Sequence, residues 1–111
     1  MANPSEVGIQ TDWDSAIVEC GTTAGSITLD RDKAYIVKHN GMNTSGTERT
    51  DYVAIGTGTY TAAITSGTGK RVLLDEESTV VGPGVTTMTF IVATNDPTLS
   101  IIPISYKRGQ Y

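Results

Sequence analysis

Residues 82–106 read GPGVTTMTFIVATNDPTLSIIPISY, and this stretch decides the fold class. In its first half, Met88, Phe90 and Val92 occupy every second position and therefore share one face of an extended chain. Alternation with a period of two is typical of a β-strand that has one face in the core. The Gly-Pro-Gly triplet before this segment and the Asn-Asp-Pro triplet after it are turn formers. The stretch therefore predicts two strands joined by a turn.

Turn-forming residues interrupt the rest of the chain in the same way. The longest interval without glycine or proline, 26–40, is rich in residues that favour strands, and the Asn40-Gly41 pair after it is expected to form a tight hairpin turn. No window repeats apolar side chains with the period of a helix. The predicted strands are 15–20, 25–29, 34–39, 51–55, 60–65, 70–74, 85–93 and 99–106. We therefore expect an all-β fold, an antiparallel β-sandwich or jelly roll of about eight short strands with almost no helix.

A chain of 111 residues supports one compact domain. Residues 14–111 are expected to form a single β-sandwich domain, and residues 1–13, which are short of strand formers, are expected to form an extended N-terminal arm. Strand alternation also predicts which side chains fill the core. These are Ile17, Val18, Tyr35, Val37, Ile64, Met88, Phe90 and Val92.

Composition excludes several classes of partner. The formal charge is −4 and the 8 basic residues are scattered, so no nucleic-acid partner is expected. No apolar run approaches the roughly 20 residues that span a bilayer, and no membrane association is expected. The sequence begins without a secretory signal, and its single cysteine has no partner for an internal disulfide. These features predict folding in the cytoplasm.

No group of residues forms a catalytic or metal-binding motif. His39 is the only histidine, and no nucleophile or second ligand stands at a suitable spacing, so we interpret it as structural. Cys20 lies on an apolar strand face and is expected to be a buried, inert thiol. Asn43 begins a glycosylation sequon that we expect to stay unmodified. The chain is therefore expected to have no enzymatic activity, no metal and no cofactor.

Acidic pairs are the remaining candidates for a calcium site, namely Asp12 with Asp14, Asp30 with Asp32, and Glu76 with Glu77. Neither aspartate pair continues into the glycine-containing loop with a terminal glutamate that an EF-hand requires. We expect Asp30 and Asp32 to lie at a solvated hairpin tip, and the two glutamates to lie in an exposed loop.

Three features of this small, acidic chain carry a resemblance to a known class of protein. They are the 34–41 segment AYIVKHNG, the Gly82-Pro83-Gly84 turn, and a C-terminal strand with apolar residues on both faces. In these features the chain resembles the auxiliary decoration, or cement, proteins of tailed-phage particles. The resemblance implies a virion protein, made in the host cytoplasm, that binds the major capsid protein or another virion protein. It also implies a homo-oligomer, with a trimer as one form.

Other functions stay open beside that one. One alternative is a tail-associated virion protein. A carbohydrate-binding module would use Trp13 with one or more of Tyr35, Tyr52 and Tyr60 as a stacking surface.

Two segments are expected to bind the partner. The arm places apolar residues between polar ones, and the last strand is apolar on both faces with Pro103 near an edge. The expected partner-binding residues are Val7, Ile9, Trp13, Leu99, Ile102, Ile104 and Tyr106.

Overall fold

The computed structural model describes residues 8–11, 16–59, 61–63 and 70–107. These residues form nine β-strands: β1 (Gly8–Thr11), β2 (Ala16–Glu19), β3 (Gly25–Thr28), β4 (Ala34–His39), β5 (Val53–Thr57), β6 (Lys70–Leu73), β7 (Ser78–Val81), β8 (Thr87–Val92) and β9 (Thr98–Lys107). The described residues contain no helix, and hence none able to cross a membrane.

The strands form two antiparallel sheets. The five-stranded sheet has the order β1-β9-β4-β7, with β2 pairing the first half of β9 beside β1, and the four-stranded sheet has the order β3-β8-β5-β6. From β2 onward, the orders β2-β9-β4-β7 and β3-β8-β5-β6 are those of a jelly roll. The all-β, antiparallel fold expected from the sequence is therefore confirmed.

The core lies between the two sheets and is built by alternation along each strand. Val37 of β4 pairs with Ile101 of β9 in the ladder, and both side chains are almost fully buried. From the four-stranded sheet, Met88 and Phe90 of β8 enter the same cluster. This alternation removes the apolar face of each strand from water, which is the main favourable contribution to folding.

Most of the expected core residues are buried, but one is not. Tyr35, Val37, Met88, Phe90 and Val92 belong to the core cluster. Val18 is partly buried against it. The placement of Ile17 in the core is wrong, because its side chain is 65% exposed. Neighbouring residues of a strand point to opposite faces, and Val18 already faces inward opposite Leu99. Ile64 lies outside the described residues.

Two of the strand predictions need correction. The prediction of a strand at 60–65 is wrong for its described part, since residues 61–63 form no strand. Instead, the Ala62 N–H donates a hydrogen bond of 2.7 Å to Thr89 Oγ1, which holds this segment against β8. Conversely, β1 and β7 form strands that the sequence analysis did not predict. Within the expected N-terminal arm, the described residues 8–11 pair with β9 of the same chain.

Turns expected to close hairpins instead connect the two sheets. The chain leaves β4 in the five-stranded sheet and enters β5 in the four-stranded sheet after a long loop, so Asn40-Gly41 begins that loop and closes no hairpin. Gly41 nevertheless has the positive φ of 72° expected there. Asp30 and Asp32 are exposed, as expected, but they lie where the chain crosses from β3 in one sheet to β4 in the other. The prediction that they form a hairpin tip is therefore also wrong.

Candidate functional site

The outer face of the five-stranded sheet carries an apolar row where a monomer would expose polar side chains. The ladder aligns Ile102 of β9, Ile36 of β4 and Val80 of β7 across three adjacent strands. All three residues point away from the core, because their neighbours along each strand face inward. Val80 is 60% exposed, and the two isoleucines are half-buried. A solvated sheet face normally presents polar residues, so this apolar row is the candidate interaction surface of the sheet.

Ile17 lies on the same outer face as the apolar row, but in the neighbouring row of side chains. It lies opposite Ser100, in the row that continues through Lys38 to Ser78. This second row is polar apart from Ile17. We call Ile17, Ile36, Val80 and Ile102 together the outer apolar face. Ile36, Val80 and Ile102 form one end of this face. The charged Lys38 lies at the other end, in the same row as Ile17.

The expected partner-binding residues of β9 divide between core and surface. Leu99 has no exposed area and packs inside the core, so its assignment to a surface is wrong. Ile102 is half-buried on the outer apolar face. Ile104 lies opposite Ala34 and is only 5% exposed, so it does not offer a free contact surface. The backbone of Tyr106 pairs with that of Ile9 in the β1–β9 ladder.

Two further residues predicted to bind a partner, Val7 and Trp13, lie outside the described residues. Sequence analysis missed three members of the outer apolar face, since Ile17 was assigned to the core and neither Ile36 nor Val80 was singled out. A signal was present for Ile36, because β4 places apolar residues on both of its faces. For Val80 the signal depended on recognising β7 as a strand.

The long β4–β5 loop is fastened by His39, which has no exposed area. Its Nε2 lies 2.7 Å from the Asp51 carbonyl oxygen, and its Nδ1 accepts a hydrogen bond of 3.0 Å from the Gly41 N–H. Since a carbonyl can only accept, Nε2 carries the proton and Nδ1 is the acceptor. The ring therefore joins the beginning of the loop to its end, which is a structural arrangement.

Polar side chains hold the same loop against the β8–β9 turn. Arg49 Nε donates to Asp96 Oδ1 at 2.8 Å, and Asn95 Nδ2 donates to Asp51 Oδ2 at 2.9 Å. The sequon residue Asn43 is half-buried, and its Oδ1 accepts hydrogen bonds from the backbone N–H groups of Ser45 and Thr47. The amide that a glycan would modify thus takes part in the folded loop.

Cys20 is a buried thiol at the end of β2, as expected. Its side chain is 1% exposed, and burial, with a smaller effect of the neighbouring Glu19 carboxylate, raises its pKa to about 12. A thiol with this pKa holds its proton at neutral pH and is a poor nucleophile. Among the described residues, no three histidine, cysteine, aspartate or glutamate side chains come together in a way that could hold a metal ion.

Tyr35 is unavailable to a carbohydrate. It is 8% exposed, and its hydroxyl accepts a hydrogen bond of 2.8 Å from the Asp30 N–H. Tyr52 is half-buried, while Trp13 and Tyr60 lie outside the described residues. The expected stacking surface therefore loses Tyr35.

A second surface feature is a cleft of about 280 Å³ on one side of the sandwich, between β7 and the β5–β6 pair. Ile55 and Val81 line its inner wall and are almost fully buried. Thr79 and Val80 border it from β7, while Arg71 of β6 is its charged lining residue. We call this feature the Arg71 cleft.

No family model matches the chain, and no curated protein matches it. Among solved structures, it is similar to a chain of Bacillus endospore appendages, described as a novel family of disulfide-linked pili. The TM-score is 0.49 at 17% sequence identity, and the match covers 97% of this chain and 96% of that chain. At this identity, we take no function from the similarity.

The phage capsid decoration function expected from the sequence is withdrawn, because the solved structure that matches is a spore pilus protein and gives that function no support. The tail-associated and carbohydrate-binding alternatives are not retained either. What the geometry offers is a jelly roll with one unusually apolar outer face and one apolar cleft.

Proposed function

We propose that this protein is a non-catalytic structural subunit that associates with further copies of itself. The observation that supports this proposal is the outer apolar face, Ile17, Ile36, Val80 and Ile102, on the five-stranded sheet. Sheets of neighbouring molecules that pack face to face would remove these side chains from water. Burying a fully exposed aliphatic side chain of this size contributes about 1.5–3 kcal/mol, and the half-buried Ile36 and Ile102 contribute less than that each.

A second copy fits this face in its charge as well as in its polarity. Lys38 is exposed in the polar row, and Glu19 is exposed at the end of the same sheet. The face thus carries both signs of charge, and a two-fold axis that passes between Lys38 and Glu19 would place the lysine of each copy opposite the glutamate of the other. A partner that carries charges of only one sign would form fewer favourable charge pairs with this surface.

The association is expected to be non-covalent. Cys20 is the only cysteine of the chain and lies in the core. A disulfide between copies would require this residue to leave the core. The disulfide linkage named for the similar pili is therefore not part of the proposal, and a reducing agent should leave the oligomer unchanged.

Sedimentation velocity over a wide range of protein concentration tests the proposal. Wild-type protein should show species larger than a monomer, and Ile17→Lys should weaken their formation about tenfold or more, since it places a charge on the outer apolar face. Ser26→Lys adds the same charge to an exposed position of β3 in the opposite sheet, and serves as the control. A wild-type protein that stays monomeric at all concentrations would contradict the proposal.

A further inference from the structure

The Arg71 cleft combines an apolar wall with an uncompensated positive charge. Arg71 is exposed, and it makes no ion pair with any described residue. Ile55 and Val81 form the wall behind it, and the more exposed Val80 and Val85 complete its apolar lining. A guanidinium beside an apolar cleft is suited to a group that joins an aliphatic side chain to a carboxylate.

The β6–β7 turn presents a group of that kind. Leu74 is 57% exposed, and Asp75 and Glu76 follow it directly with exposed side chains. The turn is fixed by two hydrogen bonds between its ends: the Glu77 N–H donates to the Leu74 carbonyl at 3.0 Å, and the Leu74 N–H donates to Glu77 Oε1 at 3.2 Å. We call residues 74–76 the acidic knob.

The knob cannot occupy the cleft of its own molecule. Both belong to β6, β7 and the turn between these consecutive strands, but Leu74 lies three residues beyond Arg71, or about 10 Å along the chain. The turn closes one end of β6 and β7, whereas the cleft lies beside Arg71, Val81 and Gly82 toward their other end. A partner for the cleft with the chemistry of the knob must therefore come from another molecule.

We propose that the acidic knob of one copy inserts into the Arg71 cleft of a second copy, with Leu74 against the apolar wall and Glu76 beside Arg71. This inference rests on the proposed function and adds a second contact surface to it. Charge complementarity supports it, because Glu76, like Arg71, forms no ion pair with a described residue. The outer apolar face alone would give closed pairs of copies.

The geometry of this contact has a consequence for the assembly. Knob and cleft are different surfaces of one chain, so the contact is heterologous, and a pair of copies keeps one free cleft at one end and one free knob at the other. Such contacts close into a ring or grow as a chain. Combined with the outer apolar face, they produce species larger than a dimer.

Charge reversal tests the contact. Arg71→Glu and Glu76→Arg, each alone, should weaken formation of species larger than a dimer about tenfold or more in sedimentation velocity, because each places like charges in the contact. The double variant with both substitutions should again form species larger than a dimer, since the two opposite charges are exchanged between knob and cleft. Asp32→Arg makes the same change at an exposed acidic turn residue that does not line the cleft, and it should behave as wild type.

The outcomes separate this inference from the proposed function. Circular dichroism of each variant first establishes that the sheets are intact. Oligomers that respond to Ile17→Lys but are unaffected by Arg71→Glu would overturn the knob contact alone. A double variant as weak as either single variant would also overturn it. Leu74→Ser should weaken the same species without any change of charge, and wild-type behaviour of this variant would contradict the role given to the apolar side chain.

Discussion

Gly25→Ala is expected to destabilise the protein, although the backbone effect alone favours alanine. Gly25 lies opposite Phe90 in the β3–β8 ladder, and a Cβ atom at position 25 would stand 2.6 Å from Cε2 and 2.9 Å from Cζ of the Phe90 ring. The ring must move to relieve such contacts, but it is 5% exposed and packed in the core. Overpacking of this kind costs about 1–3 kcal/mol.

The stabilisation gained by replacing the glycine is smaller than the cost of overpacking. Removing a glycine from the interior of a strand stabilises the folded state by roughly 0.5–1 kcal/mol, because the unfolded chain loses conformational freedom. A net loss in the free energy of unfolding, centred on about 1 kcal/mol, is therefore expected. Gly21→Ala is the matched control, since a Cβ atom at position 21 meets no atom within 4 Å. That variant should be neutral or slightly more stable.

Urea unfolding followed by circular dichroism measures these differences, and a double-mutant cycle identifies their cause. Phe90→Leu shortens the side chain that the new methyl group meets. In that background Gly25→Ala should become neutral or stabilising, which corresponds to a coupling energy of about 1–3 kcal/mol. Additive effects, or a Gly25→Ala protein as stable as the wild type, would refute the packing argument.

Two further predictions concern the buried side chains of Cys20 and His39. Native Cys20 should react with a disulfide reagent at pH 8 far more slowly than in urea, and equal rates would contradict its burial. Because burial raises the pKa of Cys20 to about 12 from 9.0, the unfolded state loses this proton first as the pH rises. Stability from this group is complete below pH 9 and should fall as the pH rises toward 12, a dependence that Cys20→Ala should remove. His39→Phe leaves the Gly41 N–H and the Asp51 carbonyl without their buried partner and should lower the free energy of unfolding by about 2–4 kcal/mol. Urea unfolding checks this value, and a loss below about 0.5 kcal/mol would show that water or a rearranged loop replaces the ring.

Alternation and turn chemistry were sufficient to place most of the strands. The predicted segment 34–39 coincides with β4, and the segments around β2, β3, β5, β6, β8 and β9 overlap the observed strands. These strands were visible because their side chains repeat with a period of two between turn formers. β7 was missed because the two valines of STVV are adjacent, so its sequence shows no period of two. β1 was missed because its sequence, GIQT, contains only one apolar residue.

Local periodicity does not determine which strands pair with each other. The sequence offered hairpins at Asn40-Gly41 and at Asp30, whereas both connections cross between the sheets. A turn residue fixes backbone angles over a few residues, but it does not decide whether the next strand joins the same sheet. That choice depends on the core that distant strands build together, as when β9 pairs with β4, β1 and β2.

The candidate site, like the fold, was predictable from the sequence only in part. Local sequence patterns were enough to predict an all-β fold, a buried thiol at Cys20 and apolar residues on both faces of some strands. The packing of the sheets was needed to show that Val18 faces the core and Ile17 faces outward, and that Ile36, Val80 and Ile102 stand in one row. The physical reason is that alternation divides each strand into two faces, while only the packing of one sheet on the other determines which face remains in contact with water.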